Sequence, residues 1–179
     1  RLEYLADTGP RIVRLFLRDN PRNLFGEFPD VGWEIDEGYF HLFGGHRLWA
    51  APEKPGVSYL PDVGGLTIRE FPSGVEMVWE PKKDAGLAKS IRIELIEQRP
   101  MVQIVHTIIN HFDHQVRVAP WGITVFPLGG SAYLPSRQNM IGSEPESNLV
   151  LWPYSHRKDP RLALNSVGIK VKAKEGLPP

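Results

Sequence analysis

The chain has 179 residues with 21 acidic and 21 basic side chains, so its formal net charge at pH 7 is zero. This balance gives no electrostatic case for nucleic acid or an anionic membrane as a partner, and we expect neither. The absence of cysteine excludes disulfides, thiol nucleophiles and zinc–thiolate sites. Hydrophobic residues make up 41% of the chain, enough for the core of one domain, which we predict over residues 1–179.

Apolar and polar residues alternate in many short runs along the chain, a pattern typical of half-buried β-strands. Between the runs, 17 glycines and 17 prolines supply turns. The predicted strands are Ile12–Leu17, Leu66–Glu70, Val75–Trp79, Ile91–Ile96, Val102–Ile108, Val116–Phe126 and Val167–Val171. We therefore predict an all-β fold of antiparallel strands, arranged as a sandwich.

Two turn segments predict hairpins between these strands. Ser73-Gly74 separates two of the runs, and Asn110 to Gln115 separates two others. The stretch Phe40 to Trp49 is the best candidate for a helix, although Gly44 and Gly45 would destabilise one there.

The ends of the chain suggest that it continues beyond both. It begins at Arg1 inside an alternating run and stops at Pro179 shortly after another. We therefore expect a fragment of a longer protein, incomplete at both ends, in which a signal peptide and the cellular compartment stay open questions. The oligomeric state is equally open.

Three segments together carry a family resemblance. The first joins Gly9–Val13 to Asn23–Glu27, the second is the GGHRLW-x-APE stretch within Phe43–Glu53, and the third runs from Val105 to Thr124. They resemble galactose mutarotase-like proteins, the superfamily of the aldose 1-epimerases, and the second segment is the most specific. The resemblance implies a β-supersandwich whose concave face binds a monosaccharide or sugar-like ligand, without a metal or nucleotide cofactor.

The resemblance also implies an activity. Characterised members interconvert sugar anomers by general acid–base catalysis with a histidine and a glutamate, so the chain is expected to be a mutarotase or epimerase. Those enzymes carry a catalytic histidine in the strand that corresponds to residues 119–124, where this chain has Trp121. His46 and His106 are then the candidates for proton transfer. Two alternatives stay open: a non-catalytic carbohydrate-binding domain, and a β-sandwich that makes protein contacts.

Sugar rings stack their C–H groups on aromatic faces, while their hydroxyls need polar partners. The candidates for ligand contact are Arg47, Trp49, Trp121 and Tyr154. Arg47 offers five N–H donors in a fixed fork, but it could instead pair with Glu34 or Glu53. Each aromatic residue could equally be part of the core.

The polar turn after the strand of His106 offers a possible metal site. His106, His111, Asp113 and His114 supply three imidazoles and a carboxylate. Their convergence would require a particular bend of the chain, and no established metal motif accompanies them. We interpret the turn as solvated and predict no metal.

Overall fold

The computed structural model describes residues 1–36, 38–81, 86–135, 158–165 and 167–172. The chain divides into two compact units, Arg1–Phe126 and Pro127–Pro179. The elements of the first unit are β1 (Leu2–Tyr4), β2 (Arg11–Leu15), β3 (Glu27–Ile35), β4 (Gly38–Gly44), β5 (His46–Ala51), α1 (Pro55–Ser58), β6 (Leu66–Phe71), β7 (Gly74–Trp79), β8 (Leu87–Ile96), β9 (Met101–Asn110) and β10 (Ala119–Thr124). This composition confirms the all-β prediction. Nothing helical among the described residues has the length and hydropathy to cross a bilayer.

The first sheet has the strand order β1-β2-β5-β10 and is antiparallel throughout. Strand β5 pairs with β10 along its whole length, from Thr124 opposite His46 to Ala119 opposite Ala51. On its other edge β5 meets β2 through only two residue pairs, Arg11 with Arg47 and Ile12 with His46. Strand β5 is thus an inner strand with neighbours on both edges.

The second sheet is an antiparallel meander of β6, β7, β8 and β9. The predicted hairpin at Ser73-Gly74 is confirmed, because Phe71 at the end of β6 pairs with Gly74 at the start of β7. A Cβ on Gly74 would collide with the carbonyl oxygen of Ile93 on β8, so only glycine fits at this close approach of strands.

The second predicted hairpin, at Asn110 to Gln115, is wrong. Strand β9 pairs with β8 in the second sheet, whereas β10 pairs with β5 in the first. The segment between β9 and β10 therefore carries the chain from one sheet to the other. Alternation in sequence marks a strand but does not say which sheet the strand joins.

The stretch Phe40 to Trp49 forms strands and not the helix considered for it. Strands β3 and β4 make a separate two-stranded sheet, and β5 follows directly. At the junction of β4 and β5, the consecutive residues Phe43, Gly44 and Gly45 all have positive φ, at 52°, 81° and 67°. This left-handed conformation, which suits glycine, redirects the chain from the hairpin into the first sheet.

The core lies between the two four-stranded sheets. Ile12 and Leu48 come from the first sheet, whereas Met77 and Ile91 come from the second. The full cluster of buried apolar residues is Ile12, Phe25, Leu48, Val75, Met77, Ile91 and Ile93. Burying each such side chain contributes about 1.5–3 kcal/mol, so this contact holds the sheets face to face as a sandwich.

The described part of the second unit is one antiparallel sheet. Its strands, β11 (Ser131–Pro135), β12 (Leu162–Asn165) and β13 (Gly168–Lys172), have the order β11-β13-β12. The side chain of Asn165 accepts hydrogen bonds from the backbone N–H groups of Val167 and Gly168. This Asx-type contact turns the chain from β12 into β13.

Truncation of Ile91 is expected to test the core. Ile91 is fully buried, so Ile91→Ala should lower the unfolding free energy by about 2–5 kcal/mol in urea denaturation. Ile109 on the neighbouring strand is 41% exposed and is the matched control, with an expected loss below about 1 kcal/mol. Equal losses in the two variants would contradict this position of the core.

Candidate functional site

Strand β5 places successive side chains on opposite sides of the first sheet. His46 and Leu48 lie on the side of the core, since Leu48 belongs to the buried cluster and Ile12 pairs with His46. We call this the core side. Arg47 and Trp49 lie on the other side, which we call the basic side. The two candidate groups on β5 therefore do not share one surface.

The Gly44-Gly45 pair fixes where β5 begins. Gly45 N–H donates to Gly26 O over 2.9 Å, and Gly45 O accepts from Val125 N–H over 2.8 Å. A Cβ on Gly45 would collide with the carbonyl oxygen of Ile12. These glycines allow close approach of protein backbone, and this contact holds His46 and Arg47 in register with both neighbouring strands.

The basic side carries two buried arginines on adjacent strands. Arg11 and Arg47 are paired in register and are 0% and 6% exposed. Arg11 donates from Nη1 to Leu42 O over 2.7 Å and forms an ion pair with Asp62, whose Oδ2 lies 3.4 Å from Nη2. Its Nε has no hydrogen-bond partner among the described residues. Arg11 is therefore only partly neutralised.

Arg47 is less well satisfied than Arg11. Its guanidinium carbon lies 4.3 Å from the centre of the Trp49 ring, a cation–π contact. Its buried Nε and Nη1 have no hydrogen-bond partner among the described residues. Burial, and then the charge of Arg11, lower the pKa of Arg47 to about 10, which still leaves it charged at pH 7. A buried donor without a partner costs about 1–3 kcal/mol, so these N–H groups are suited to a ligand.

A third buried cation acts on this region from the second sheet. Lys89 on β8 is 5% exposed, and its Nζ lies 5.3 Å from the centre of the Trp79 ring. Burial lowers the pKa of Lys89; Asp62 opposes that shift, while Arg11 and Arg47 add to it. Its ammonium group therefore interacts electrostatically with both arginines, although Lys89 lies on the core-facing side of β8 with Ile91 and Ile93.

An aromatic cluster surrounds Trp49 on the basic side. Its ring centres lie 5.1 Å from that of Tyr59, 5.7 Å from that of Trp121 and 6.0 Å from that of Phe40. Trp33 extends the group at 5.5 Å from Tyr59 and is 40% exposed. The cluster combines buried rings with half-buried and exposed ones.

Tyr59 connects this cluster to an exposed carboxylate. Its hydroxyl donates a short hydrogen bond to Glu53, which raises the pKa of Tyr59 to about 12. Glu53 is thus held by a tyrosine and not, as the sequence allowed, by Arg47.

The core side carries a pair of histidines. Nε2 of His46 lies 2.8 Å from Nε2 of His106 on β9, and Nδ1 of His46 lies 2.7 Å from Thr124 Oγ1 on β10. One proton fits between the two Nε2 atoms, so one ring donates and the other accepts. A Cβ on Gly122 would approach within 3.3 Å of His106, so the absence of a side chain there leaves space for the rings.

Burial keeps this pair neutral at pH 7. Burial, with smaller contributions from the electrostatic effects of His106 and Arg47, lowers the pKa of His46 to about 4. Burial also lowers the pKa of His106. A neutral pair that shares a proton can relay one between its outer nitrogens.

The turn after β9 gives its polar residues separate partners. His114 Nδ1 lies 2.9 Å from Asp113, and His111 Nε2 lies 3.1 Å from Glu80. His106 is paired with His46 instead. Over the described ranges no three potential metal ligands come together.

The structure thus divides the candidate residues. Arg47, Trp49 and Trp121 meet on the basic side, and His46 meets His106 on the core side. Tyr154 lies outside the described residues.

Sequence reasoning missed three charged residues near Arg47: Arg11 and Asp62 in the basic region, and Lys89, which interacts electrostatically with both arginines from the second sheet. For Lys89 a signal existed: the alternation of the Ile91 strand, extended backwards, places this lysine at an inward position.

Comparison with known proteins adds no relative: no family model, curated protein or solved structure matches the chain. The contacts and charges of the described residues carry the functional interpretation.

The neutral state of His46 predicts a pH-dependent stability. The unfolded chain takes up a proton on His46 near pH 6.5, whereas the folded protein does so only near pH 4, so stability should fall as pH decreases between these values. The loss should be at most about 3 kcal/mol in urea denaturation. His46→Gln should show a smaller decrease over this range, and the exposed His114→Gln should behave as wild type. Equal decreases in wild type and His46→Gln would contradict the assignment.

Proposed function

We propose that this chain binds a sugar or sugar-like molecule on the basic side of the first sheet, within a galactose mutarotase-like β-supersandwich. One observation carries the proposal. Arg47 is stacked on the Trp49 indole, yet its buried Nε and Nη1 lack hydrogen-bond partners among the described residues. Hydroxyl oxygens of a sugar would satisfy these N–H groups, and the adjacent rings would contact its C–H faces.

The partial exposure of the aromatic cluster supports a ligand at its outer edge. Trp49 is only 6% exposed, and its ring packs against the Arg47 guanidinium. Trp121 is half-buried and Trp33 is 40% exposed, so parts of both rings face solvent. Tryptophan in this position offers a large apolar surface with little loss of side-chain entropy on binding.

Mutarotation is the second candidate function, and the histidine pair favours it. His46 and His106 share a proton at 2.8 Å and are neutral at pH 7, as a general base must be. The pair lies on the core side, however, across the sheet from Arg47. A ligand held by Arg47 would not contact His46, and this separation is why binding ranks above catalysis.

Removal of the Arg47 side chain is expected to weaken sugar binding. Arg47→Ala should lose about 10–100-fold in affinity for any monosaccharide that binds wild type in calorimetry, since charged hydrogen bonds contribute about 1.5–3 kcal/mol. Trp121→Ala on the edge strand should also weaken binding, through loss of ring contact.

Arg92 provides the matched control for this measurement. Its guanidinium lies 4.2 Å from the Phe71 ring centre, as Arg47 lies over Trp49, but it is satisfied by Glu94 and belongs to the second sheet. Arg92→Ala should bind sugar as wild type does. The proposal is wrong if no monosaccharide binds, or if a folded Arg47→Ala, verified by circular dichroism, binds as tightly as wild type.

Polarimetry separates the two candidate functions. If the histidine pair catalyses mutarotation, wild type should speed the approach of fresh α-glucose or α-galactose to equilibrium, and His106→Gln should abolish that increase. Sugar binding with rates equal to those in buffer would support a binding domain and reject the epimerase.

A further inference from the structure

The basic region holds more positive than negative charge. Its buried cations are Arg11 and Arg47, with exposures of 0% and 6%; Lys89, 5% exposed, interacts with both electrostatically from the core-facing side of the second sheet. Of the residues described, Asp62 is the carboxylate that acts electrostatically on all three. Over the described ranges, these three cations and Asp62 therefore leave an excess of two positive charges when all four groups are ionised. Buried charges are normally paired, because desolvation opposes an isolated ion.

The in-register pairing of the arginines concentrates this charge. Arg11 and Arg47 are direct neighbours across the β2–β5 ladder, and the charge of Arg11 lowers the pKa of Arg47. Asp62 contacts Arg11 through its Oδ2, at 3.4 Å from Nη2. Arg47 keeps two nitrogens without partners among the described residues. Arg47, for which no carboxylate contact is seen among the described residues, therefore has more unsatisfied donors than Arg11.

Lys89 contributes to the excess but is not required for it. Its ammonium is partly stabilised by the face of Trp79, at 5.3 Å from the ring centre. Were Lys89 to lose its proton, two guanidiniums would still face one carboxylate, because arginine keeps its charge at neutral pH. Whether or not Lys89 is protonated, an anionic group on a ligand would balance the positive charge. It would also accept hydrogen bonds from the free N–H groups of Arg47.

We infer that the ligand of the basic side carries an oxyanion, the carboxylate of a uronic acid or the phosphate of a sugar phosphate, held by the free N–H groups of Arg47 beside Arg11. This inference rests on the proposed sugar binding and specifies the class of sugar. The shared chemistry is a compact anion attached to a hydroxylated ring. The aromatic cluster would contact the ring while the guanidinium groups contact the anion.

Calorimetry with four probes tests the inference: glucose, glucuronate, glucose 6-phosphate and inorganic phosphate. At least one anionic sugar should bind about tenfold or more tightly than glucose, with an affinity that decreases as sodium chloride is added. Preference for glucuronate would identify a carboxylate ligand, and preference for glucose 6-phosphate a phosphate ligand.

Two substitutions connect this preference to the buried charges. Lys89→Met keeps the apolar volume and removes one charge, so it should reduce the preference for the anionic sugar about tenfold. Asp62→Asn removes the competing carboxylate and should tighten anion binding several-fold. Lys170→Met is the matched control, since Lys170 also lies over a ring, 5.1 Å from the centre of Tyr133, but in the second unit. It should bind all four probes as wild type does.

The outcomes separate this inference from the proposal beneath it. If glucose binds as tightly as both anionic sugars, the inference that the ligand carries an oxyanion is wrong, whereas the proposed sugar binding still holds. Binding of inorganic phosphate with no sugar bound would support an anion site and contradict the proposed function. No binding of any probe would overturn both. An anion preference unchanged in folded Lys89→Met and Asp62→Asn would overturn the assignment to these buried charges.

Discussion

The register of strand β5 determines which side chains meet in this protein. Hydrogen bonding to β10 along its whole length sets Trp121 beside Trp49 and Thr124 beside His46. Because side chains alternate across a sheet, a shift of one residue would exchange the two sides completely. The fixed entry point at Gly45, which binds backbone on two neighbouring segments, prevents such a shift. Both the core and the candidate site follow from this one alignment.

The same desolvation has opposite consequences on the two sides of the sheet. On the core side it acts on imidazoles, whose ordinary pKa is close to neutrality, so His46 loses its charge and shares a proton with His106. On the basic side it acts on guanidinium groups, and Arg47 stays charged with a pKa of about 10. A single layer of backbone therefore separates a neutral, internally satisfied pair from a charged group with free donors. The chemical difference between imidazole and guanidinium, and not a difference in burial, explains why the histidines are neutral and hydrogen-bonded to each other while Arg47 stays charged with free donors.

Alternation in the sequence was enough to predict most strands of the second sheet and the all-β class, because those strands have one buried and one exposed face. It failed over β4 and β5: β5 is buried on both sides, which removes the alternation, and consecutive glycines at the junction of the two strands obscure the pattern. Arg47 and Trp49 could be selected from the chemistry of their side chains, and Trp121 was favoured by the resemblance. The contact between His46 and His106 and the approach of Lys89 depend on how two sheets pack, which no local pattern encodes.

The short ladder between β2 and β5 has a consequence for motion. Two residue pairs supply few backbone hydrogen bonds, so the β1–β2 pair and the β5–β10 pair are held together largely by the side chains of Ile12 and Leu48. Such a seam opens at lower free energy than the long β8–β9 ladder, whose ten residue pairs open only with much of the second sheet. Amide deuterium uptake along β2 should therefore outpace that along β8. Arg11 and Arg47 form one of the two residue pairs of this ladder. The part of the first sheet that we expect to open most easily is therefore also the part that concentrates positive charge.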